Sequence, residues 1–202
     1  MKKLPLHSAK FFGSFTGENP FPSFKDAHGG LLPELALIGR SNVGKSSFLN
    51  SFFGKKLARV SATPGKTQMC NFYLVENSFC LVDLPGYGWA DVPKELLKNW
   101  DELMERYFQQ RSHQQLLFFF DVRREPNELD FHFAKWAAFY KKEPIVIVTK
   151  VDKVKAAEKE KCKKLILFSL FKKELPCVYF SCKTGEGLPM LRSMMERIIC
   201  PT

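Results

Sequence analysis

The sequence lacks both a long hydrophobic run and closely paired cysteines. No stretch of its 202 residues approaches the roughly 18 consecutive apolar residues of a transmembrane helix, so we expect no membrane-spanning segment. Its six cysteines form no CxxC pair or other close metal-binding spacing, and several lie on strand-like runs, which predicts buried free thiols in a reducing compartment. Pro5, His7 and Lys10 interrupt any apolar stretch after residues 1–4, which argues against a signal peptide. We therefore expect a cytoplasmic protein.

Acidic residues are in deficit, and the sequence shows no internal repeat or low-complexity segment. The chain has 31 Lys and Arg against 21 Asp and Glu, a formal net charge of +10 that favours a polyanionic partner. The lysine-rich segment 153–173 is either a solvated helix face or part of such a contact. Arg123 and Arg124 lie just past a predicted strand. Their side chains either face solvent or contact RNA phosphates. With 45% hydrophobic residues and 20 phenylalanines, the chain suits one domain with an aromatic-rich core.

The strongest motif is a glycine-rich loop between a predicted strand and a predicted helix. Residues 39–46 read GRSNVGKS, follow an apolar run at 35–38 and precede apolar residues at helical spacing in 47–53. The glycines allow a tight turn that aims successive N–H groups at a β-phosphate, and the helix N-terminus adds positive character. Lys45 can reach the β- and γ-phosphates, and the Ser46 hydroxyl can ligate Mg²⁺. The predicted nucleotide-binding residues of this phosphate loop are Gly39, Arg40, Ser41, Asn42, Val43, Gly44, Lys45 and Ser46.

A second motif predicts which base is bound. Thr149-Lys150-Val151-Asp152 reads TKVD and follows the apolar run 145–148, at a strand end where ligands bind in open α/β sheets. The Asp152 carboxylate can accept hydrogen bonds from N1–H and the 2-amino group of guanine, both of which adenine lacks. Two lost charge-assisted hydrogen bonds imply discrimination of roughly a hundredfold or more. The Lys150 stem can cover the base plane, and the motif disfavours an ATPase or a P-loop kinase.

Two weaker motifs also close strand-like runs. Asp83-Leu84-Pro85-Gly86 follows the run 79–82, and here Asp83 suits an outer-sphere contact to Mg²⁺ while the Gly86 N–H suits the γ-phosphate. Ser181-Cys182-Lys183 follows the run ending at Phe180, and its backbone can hold the guanine O6. The further candidate nucleotide contacts are Asp83, Leu84, Pro85, Gly86, Thr149, Lys150, Val151, Asp152, Phe180, Ser181 and Cys182.

In their order along the chain, these motifs resemble a known family. The segments GRSNVGKSSFLNS, ATPGKTQMCNFYLV, LVDLPGYGWA, VTKVDK and SCKTGEGL are similar to those of the EngB/YihA-type GTP-binding proteins. These belong to the TrmE-Era-EngA-YihA-septin-like class of small bacterial GTPases, and the similarity covers roughly residues 31–202. The resemblance implies a GTPase that acts on the large ribosomal subunit or its precursor, through rRNA and ribosomal proteins, with effects on cell division and septation.

The resemblance also assigns the loop between the first predicted helix and Cys70. This loop holds Thr63 and Thr67, and either hydroxyl can complete the Mg²⁺ shell. The GKTQ pattern of the family points to Thr67, so the metal ligands are expected to be Ser46 and Thr67. The nucleotide-sensing residues that the resemblance implies here are Gly65, Lys66, Thr67, Gln68 and Met69.

Catalysis has no assigned residue. Tyr87 follows Gly86, where Ras-like enzymes carry a glutamine that orients the attacking water, so we expect slow hydrolysis without a partner. Asn42 occupies the loop position that holds a monovalent cation in potassium-stimulated relatives, and it either binds K⁺ here or braces the loop. Tyr87 and Trp89 are either core residues or docking groups on a mobile loop.

The order of predicted elements indicates an α/β fold, a small G domain of the P-loop NTPase type. We expect a mostly parallel six-stranded sheet with one antiparallel strand, made by a hairpin at Asn77, and helices on both faces. An N-terminal extension over 1–30, which either adds a strand or straps the sheet edge, precedes an EngB-type G domain over 31–202. The predicted strands are 35–39, 70–76, 78–83, 115–121, 145–149 and 176–180, and the predicted helices are 44–53, 94–111, 127–141, 154–173 and 187–199.

Two functions fit these motifs. The first is a monomeric, Mg²⁺-dependent GTPase that binds GTP and GDP and acts as a switch on ribosome precursors. The second is a guanine-nucleotide-sensing scaffold with negligible turnover in a division or membrane-associated complex. GTP turnover measured with and without ribosomal particles distinguishes the two.

Overall fold

The computed structural model describes residues 4–58, 69–75, 78–88, 94–111 and 114–200. The strands within these ranges are β1 Lys10–Phe15, β2 Glu34–Gly39, β3 Cys70–Val75, β4 Phe79–Asp83, β5 Gln114–Asp121, β6 Ile145–Thr149 and β7 Cys177–Phe180. They form one sheet in the order β1-β3-β4-β2-β5-β6-β7. Strand β3 runs antiparallel to β1 and β4, and the other neighbouring pairs are parallel. The expected α/β fold with one antiparallel strand is confirmed.

The described sheet has seven strands rather than the expected six because the N-terminal extension contributes β1. Strand β1 pairs with β3, whose backbone N–H and C=O groups would otherwise form an unpaired edge. Phe15 of β1 and the buried Phe21 both contact Phe72 of β3, with ring centroids 5.4 and 5.9 Å apart. Of the two alternatives for the extension, the added strand is the one observed, and the domain boundary at residue 30 stays a prediction.

Helices pack on both faces of the sheet, as expected. The α-helices of the described ranges are α1 Lys45–Phe53, α2 Lys94–Gln110, α3 Glu128–Phe139, α4 Ala156–Lys164 and α5 Leu188–Ile199. The sequence predicts a single helix over 154–173. In the structure the α-helix ends at Lys164, and Leu165–Phe171 continues it as a π-helix. Ile166, Leu167 and Leu170 of this segment are buried, so it belongs to the core despite its wider turns.

Alternate side chains of the central strand β2 face two hydrophobic cores. Leu35 and Leu37 pack in the core that contains residues of α1 and α5, while Ala36 and Ile38 pack in the core that contains residues of α2 and α3. All of β2 is buried, as in a strand covered on both faces. Because β2, β4, β5, β6 and β7 run in one direction, their carboxyl ends meet at one edge of the sheet, and the predicted motifs follow these ends.

Candidate nucleotide-binding site

The phosphate loop turns where its glycines permit it. Gly39 ends β2 with φ 155°, and a Cβ added there would lie 2.5 Å from the Phe119 carbonyl oxygen on β5, so the backbone passes too close for a side chain. Gly44 adopts φ 115° and precedes α1, which begins at Lys45 without a side-chain cap. The first N–H groups of α1 are therefore directed into the loop, where an anion can accept from them.

A buried lysine and a buried aspartate lie beside this loop. The Lys45 ammonium donates to the Gly39 carbonyl at 3.3 Å. Burial lowers the pKa of Lys45 and raises the pKa of Asp83 at the end of β4, and in each case the charge of the other residue partly offsets the shift. Within the described part of the chain, Asp83 Oδ1 has no hydrogen-bond partner. An anion at Lys45 and a cation near Asp83 would therefore complete the polar interactions of this buried pair.

The segment that follows Asp83 lies against the phosphate loop. A Cβ added to Gly86 would lie 3.0 Å from the Ser41 nitrogen and 3.1 Å from Lys45 Nζ, so a side chain there would crowd the phosphate loop. The Ser41 N–H donates to the Tyr87 carbonyl at 2.8 Å. The Gly86 backbone thus lies beside Lys45, as contact of both residues with one phosphate would require.

The TKVD and SCK motifs meet at the neighbouring strand ends. The Ser181 hydroxyl donates to Asp152 Oδ1 at 2.7 Å and accepts from the N–H groups of Lys183 and Thr184 at 3.2 and 3.3 Å. The hydrogen bond from Ser181 lowers the pKa of Asp152, so this carboxylate is ionised at neutral pH. Asp152 Oδ2 lies 3.6 Å from Lys153 Nζ, and the side chain is partly exposed. An ionised, oriented carboxylate that solvent can reach is what recognition of guanine needs.

Strand β6 ends in direct contact with the phosphate loop. The Thr149 hydroxyl donates to the Val43 carbonyl at 2.7 Å, and the Lys150 ammonium donates to the Asn42 carbonyl, also at 2.7 Å. Asn42 and Lys150 both adopt φ 59°, in the left-handed region that non-glycine residues rarely occupy. These two residues are joined by the hydrogen bond from the Lys150 side chain to the Asn42 carbonyl. They link the predicted phosphate-binding and base-binding motifs.

Asp121 at the end of β5 is a site residue that the sequence analysis missed. Its buried carboxylate accepts from Lys150 Nζ at 2.9 Å and from Arg123 Nε and Nη2 at 3.0 and 2.7 Å. Burial alone would raise the pKa of Asp121, but the hydrogen bonds from Arg123 and Lys150 outweigh it and lower the pKa to about 2. Arg123 and Arg124 are both exposed, and Arg123 is also ion-paired with Asp121. In the sequence, this role was indicated by a single aspartate at the end of a buried strand that pairs with β6.

Asp130 in the first turn of α3 is the second residue that was missed. Its buried Oδ1 accepts from the Tyr87 hydroxyl at 3.0 Å and from Arg40 Nε at 3.1 Å. Arg40 Nη2 also bonds Asp130 Oδ2 and the Glu125 carbonyl. Tyr87 is 3% exposed, so of its two alternatives the core position is the one observed. Nothing in the sequence marks Asp130 except its place three residues after Asn127, where it forms a capping box.

The structure brings most of the predicted residues to one edge of the sheet. Residues 39–46, 83–86, 149–152 and 180–182 all lie at or just past the carboxyl ends of the strands. Phe180 is buried against Phe48 of α1, with ring centroids 5.4 Å apart, and Cys182 is exposed. Met69 directly precedes β3 and is partly buried. The predictions for Thr63, Gly65, Lys66, Thr67, Gln68, Asn77 and Trp89 fall outside the described residues.

A phosphate loop after β2, a DxxG segment after β4 and a paired carboxylate after β6 define a small GTP-binding protein of the P-loop class. Residues 34–150 match the family described as "50S ribosome-binding GTPase". The chain is 40% identical over 190 residues to "Probable GTP-binding protein EngB" of Protochlamydia amoebophila (strain UWE25), covering 93% of this chain and 92% of the relative. The chain therefore belongs to the EngB family of GTP-binding proteins, and the predicted class of enzyme, a GTPase, is confirmed by these matches.

Other matches agree with this assignment. "Probable GTP-binding protein EngB" of Caldanaerobacter subterraneus subsp. tengcongensis is 37% identical over 198 residues, covering 97% of this chain and 99% of the relative. A solved structure, "Crystal structure of a probable GTP-binding protein engB", matches with a TM-score of 0.62 and 21% identity over 82% of this chain and 98% of that chain. A point variant of Aquifex aeolicus Era bound to GDP.AlF4- matches with a TM-score of 0.67 and 23% identity over 84% and 57% of the two chains. At these identities the solved structures show a shared fold.

None of the helices in the described ranges is both long enough and apolar enough to cross a membrane.

Proposed function

We propose that the protein is a slow, Mg²⁺-dependent GTPase that acts as a switch in assembly of the large ribosomal subunit. The observation that carries the nucleotide part is the 2.7 Å hydrogen bond from Lys150 Nζ to the Asn42 carbonyl, which joins the base-binding motif to the phosphate loop. A single ligand with a guanine at one end and phosphates at the other would occupy both motifs.

Each part of a guanine nucleotide has a complementary group in this site. We assign the N1–H and 2-amino group of the base to the Asp152 carboxylate, and the guanine O6 to the backbone that follows Ser181. The Lys150 stem covers the base plane, while its ammonium stays on the loop. The β- and γ-phosphates accept from the loop amides and from Lys45, and the γ-phosphate also accepts from Gly86.

The same site suits a magnesium ion. Asp83 Oδ1 is a buried carboxylate oxygen without a hydrogen-bond partner in the described residues, and water bound to a cation would satisfy it. Ser46 in the first turn of α1 would ligate the ion directly, and the family pattern adds Thr67. Bound Mg²⁺ would supply positive charge that stabilises the negative charge of the phosphates.

The position of Tyr87 supports slow hydrolysis. Its hydroxyl is bonded to Asp130 inside the core, so it does not orient a water for attack. Stabilising charge would come from a partner or from K⁺ at Asn42, whose side chain is exposed on the loop. The same burial supports the second candidate, a guanine-nucleotide-sensing scaffold with negligible turnover.

The ribosomal part of the proposal is supported by the family and by charge. The family description names the 50S subunit, and a net charge of +10 suits an rRNA surface. We place the protein in the cytoplasm as a monomer, with residues 31–202 as the GTP-binding unit and 1–30 as an extension. A role in subunit assembly would also explain an effect of its loss on cell division and septation.

Co-sedimentation with large ribosomal subunits tests this proposal. Pelleting is compared at one salt concentration with a non-hydrolysable GTP analogue, with GDP and without nucleotide, and GTP turnover is measured with and without the particles. We expect more pelleting with the analogue and faster turnover with particles. Equal pelleting with the analogue, with GDP and without nucleotide would reduce the interaction to non-specific electrostatics. Equal GTP turnover with and without the particles would favour the scaffold.

A further inference from the structure

Asp130 lies at the centre of a buried cluster that joins three separate parts of the chain. Its carboxylate accepts from the Tyr87 hydroxyl at 3.0 Å and from the Arg40 guanidinium, with 3.1 Å to Nε. It also accepts from the Asn127 N–H at 2.9 Å, which fixes the carboxylate at the start of α3. The Asp130 side chain is 0% exposed, so these hydrogen bonds form without competition from water.

This cluster anchors Tyr87 to the phosphate loop at both of its ends. The Tyr87 carbonyl accepts from the Ser41 N–H at 2.8 Å, and its hydroxyl is tied through Asp130 to Arg40. Because Arg40 and Ser41 are consecutive residues of the loop, the same short segment holds both ends of Tyr87. Gly86, the residue before Tyr87, is thereby held with its backbone against Ser41 and Lys45.

We propose that Asp130 is a positioning residue that acts through Tyr87 to hold the Gly86 N–H ready for the γ-phosphate, and so raises selectivity for GTP over GDP. This inference rests on the proposed function, because it assumes that Gly86 contacts the γ-phosphate. Fixing the segment before binding removes the entropy cost of ordering it at that step. GDP has no γ-phosphate and gains nothing from the arrangement.

Tyr87→Phe isolates the contribution of this cluster. It removes only the hydroxyl, while the ring keeps its packing against Trp100 and Phe133, with centroids 5.7 and 6.2 Å away. We expect affinity for a non-hydrolysable GTP analogue to fall by about tenfold, the effect of one hydrogen bond to a charged group. We expect affinity for GDP to change by less than about twofold, because GDP does not use Gly86.

The fold provides a matched control at the opposite end of β2. There the Glu34 carboxylate accepts from the Tyr107 hydroxyl at 2.6 Å and from Arg111 Nη1 at 2.8 Å, which repeats the tyrosine–carboxylate–arginine chemistry away from the nucleotide. Tyr107→Phe should therefore lower thermal stability without changing the ratio of GTP-analogue to GDP affinity. Asp130→Asn, which keeps the side-chain shape and removes the charge, should shift that ratio in the same direction as Tyr87→Phe.

Isothermal titration with the GTP analogue and with GDP, together with thermal melting, measures all of these variants. A lowered affinity ratio in Tyr87→Phe but not in Tyr107→Phe supports the inference. Equal losses for both nucleotides, an unchanged ratio, or tighter binding of the analogue in Tyr87→Phe would overturn it. A wild-type protein that binds neither nucleotide would overturn the proposed function itself, and this inference with it.

Discussion

The choice of base is expected to depend on Asp152. Asp152→Asn replaces one carboxylate oxygen by an NH2 donor, which cannot accept from the 2-amino group of guanine but can donate to the C2 oxygen of xanthine. We expect GTP and GDP affinity to fall by roughly a hundredfold or more and xanthosine nucleotides to bind better than they do to the wild type. Competition binding with guanosine, adenosine and xanthosine diphosphates measures this. Competition by ADP as strong as by GDP in the wild-type protein would contradict the assignment.

Asp121 should make stability depend on pH in the acid range. Its folded-state pKa is lowered to about 2 from an ordinary value of 3.8, so its contribution is present above about pH 4 and is lost as the pH falls towards 2. That difference corresponds to a contribution on the order of 2 kcal/mol at neutral pH.

Urea unfolding of the wild type and of Asp121→Asn at pH 7 and pH 3 checks this expectation. The wild type should lose more free energy of unfolding than the variant over this interval, because the variant has no proton to gain at this position. Asp152, whose pKa is also lowered, titrates in both proteins and cancels in the comparison. An equal loss in both proteins would show that Asp121 is not stabilised by its partners in the folded state.

Single-residue roles could be predicted from the sequence only where a motif carries them. The loop at 39–46 and the TKVD residues are contiguous, so spacing alone marks them. Asp121 and Asp130 are isolated acidic residues whose partners come from other elements, and only the folded chain brings those partners together. The core position of Tyr87 likewise depends on Asp130.

At the level of elements, strand β1 and the segment that follows it should be part of the stable core. Phe21 is 5% exposed and contacts Phe72 and Tyr107, with ring centroids 5.9 and 5.6 Å away. Phe21→Ala should lower the free energy of unfolding by about 3–5 kcal/mol through lost burial and a residual cavity. Phe139→Ala, at a position on α3 that is 79% exposed, should change it by less than about 0.5 kcal/mol. Chemical denaturation compares the two, and similar values would mean that the extension is not part of the cooperative unit.

The sequence predicted most elements with their bounds, whereas an added strand was only one of two alternatives for residues 1–30, and burial explains the difference. Strands such as β2, β4 and β6 are buried throughout and appear as continuous apolar runs. Strand β1 is partly exposed and reads Lys-Phe-Phe-Gly-Ser-Phe without clear alternation, with a register shift between Phe11 and Gly13. Its position depends on the free edge of β3, which lies about sixty residues further along the chain, a long-range pairing that local patterns do not reveal.

Over the whole molecule, the charge excess should show itself as salt-sensitive binding to ribosomal particles. Lys161 and Lys164 on α4 are exposed, whereas Lys159 is paired with Glu186 at 2.7 Å. Replacing Lys161 and Lys164 by Gln should weaken binding and reduce the slope of log affinity against log salt by about 1.5, as expected for two lost phosphate contacts. Lys159→Gln should reduce the slope by less. Pelleting across a salt series tests this, and an unchanged slope in the double variant would place the contact elsewhere.

The two tyrosine–carboxylate–arginine clusters also have a mechanical consequence. They pin the flanks of β2, one at Glu34 and the other just beyond Gly39, while β4 and β5 hydrogen-bond along both of its edges. Because β2 is held at both ends and along both edges, we expect no local opening of this strand. Its amide hydrogens should therefore exchange with deuterium only when the entire fold opens. Strand β2 is then a rigid support for the phosphate loop that follows it.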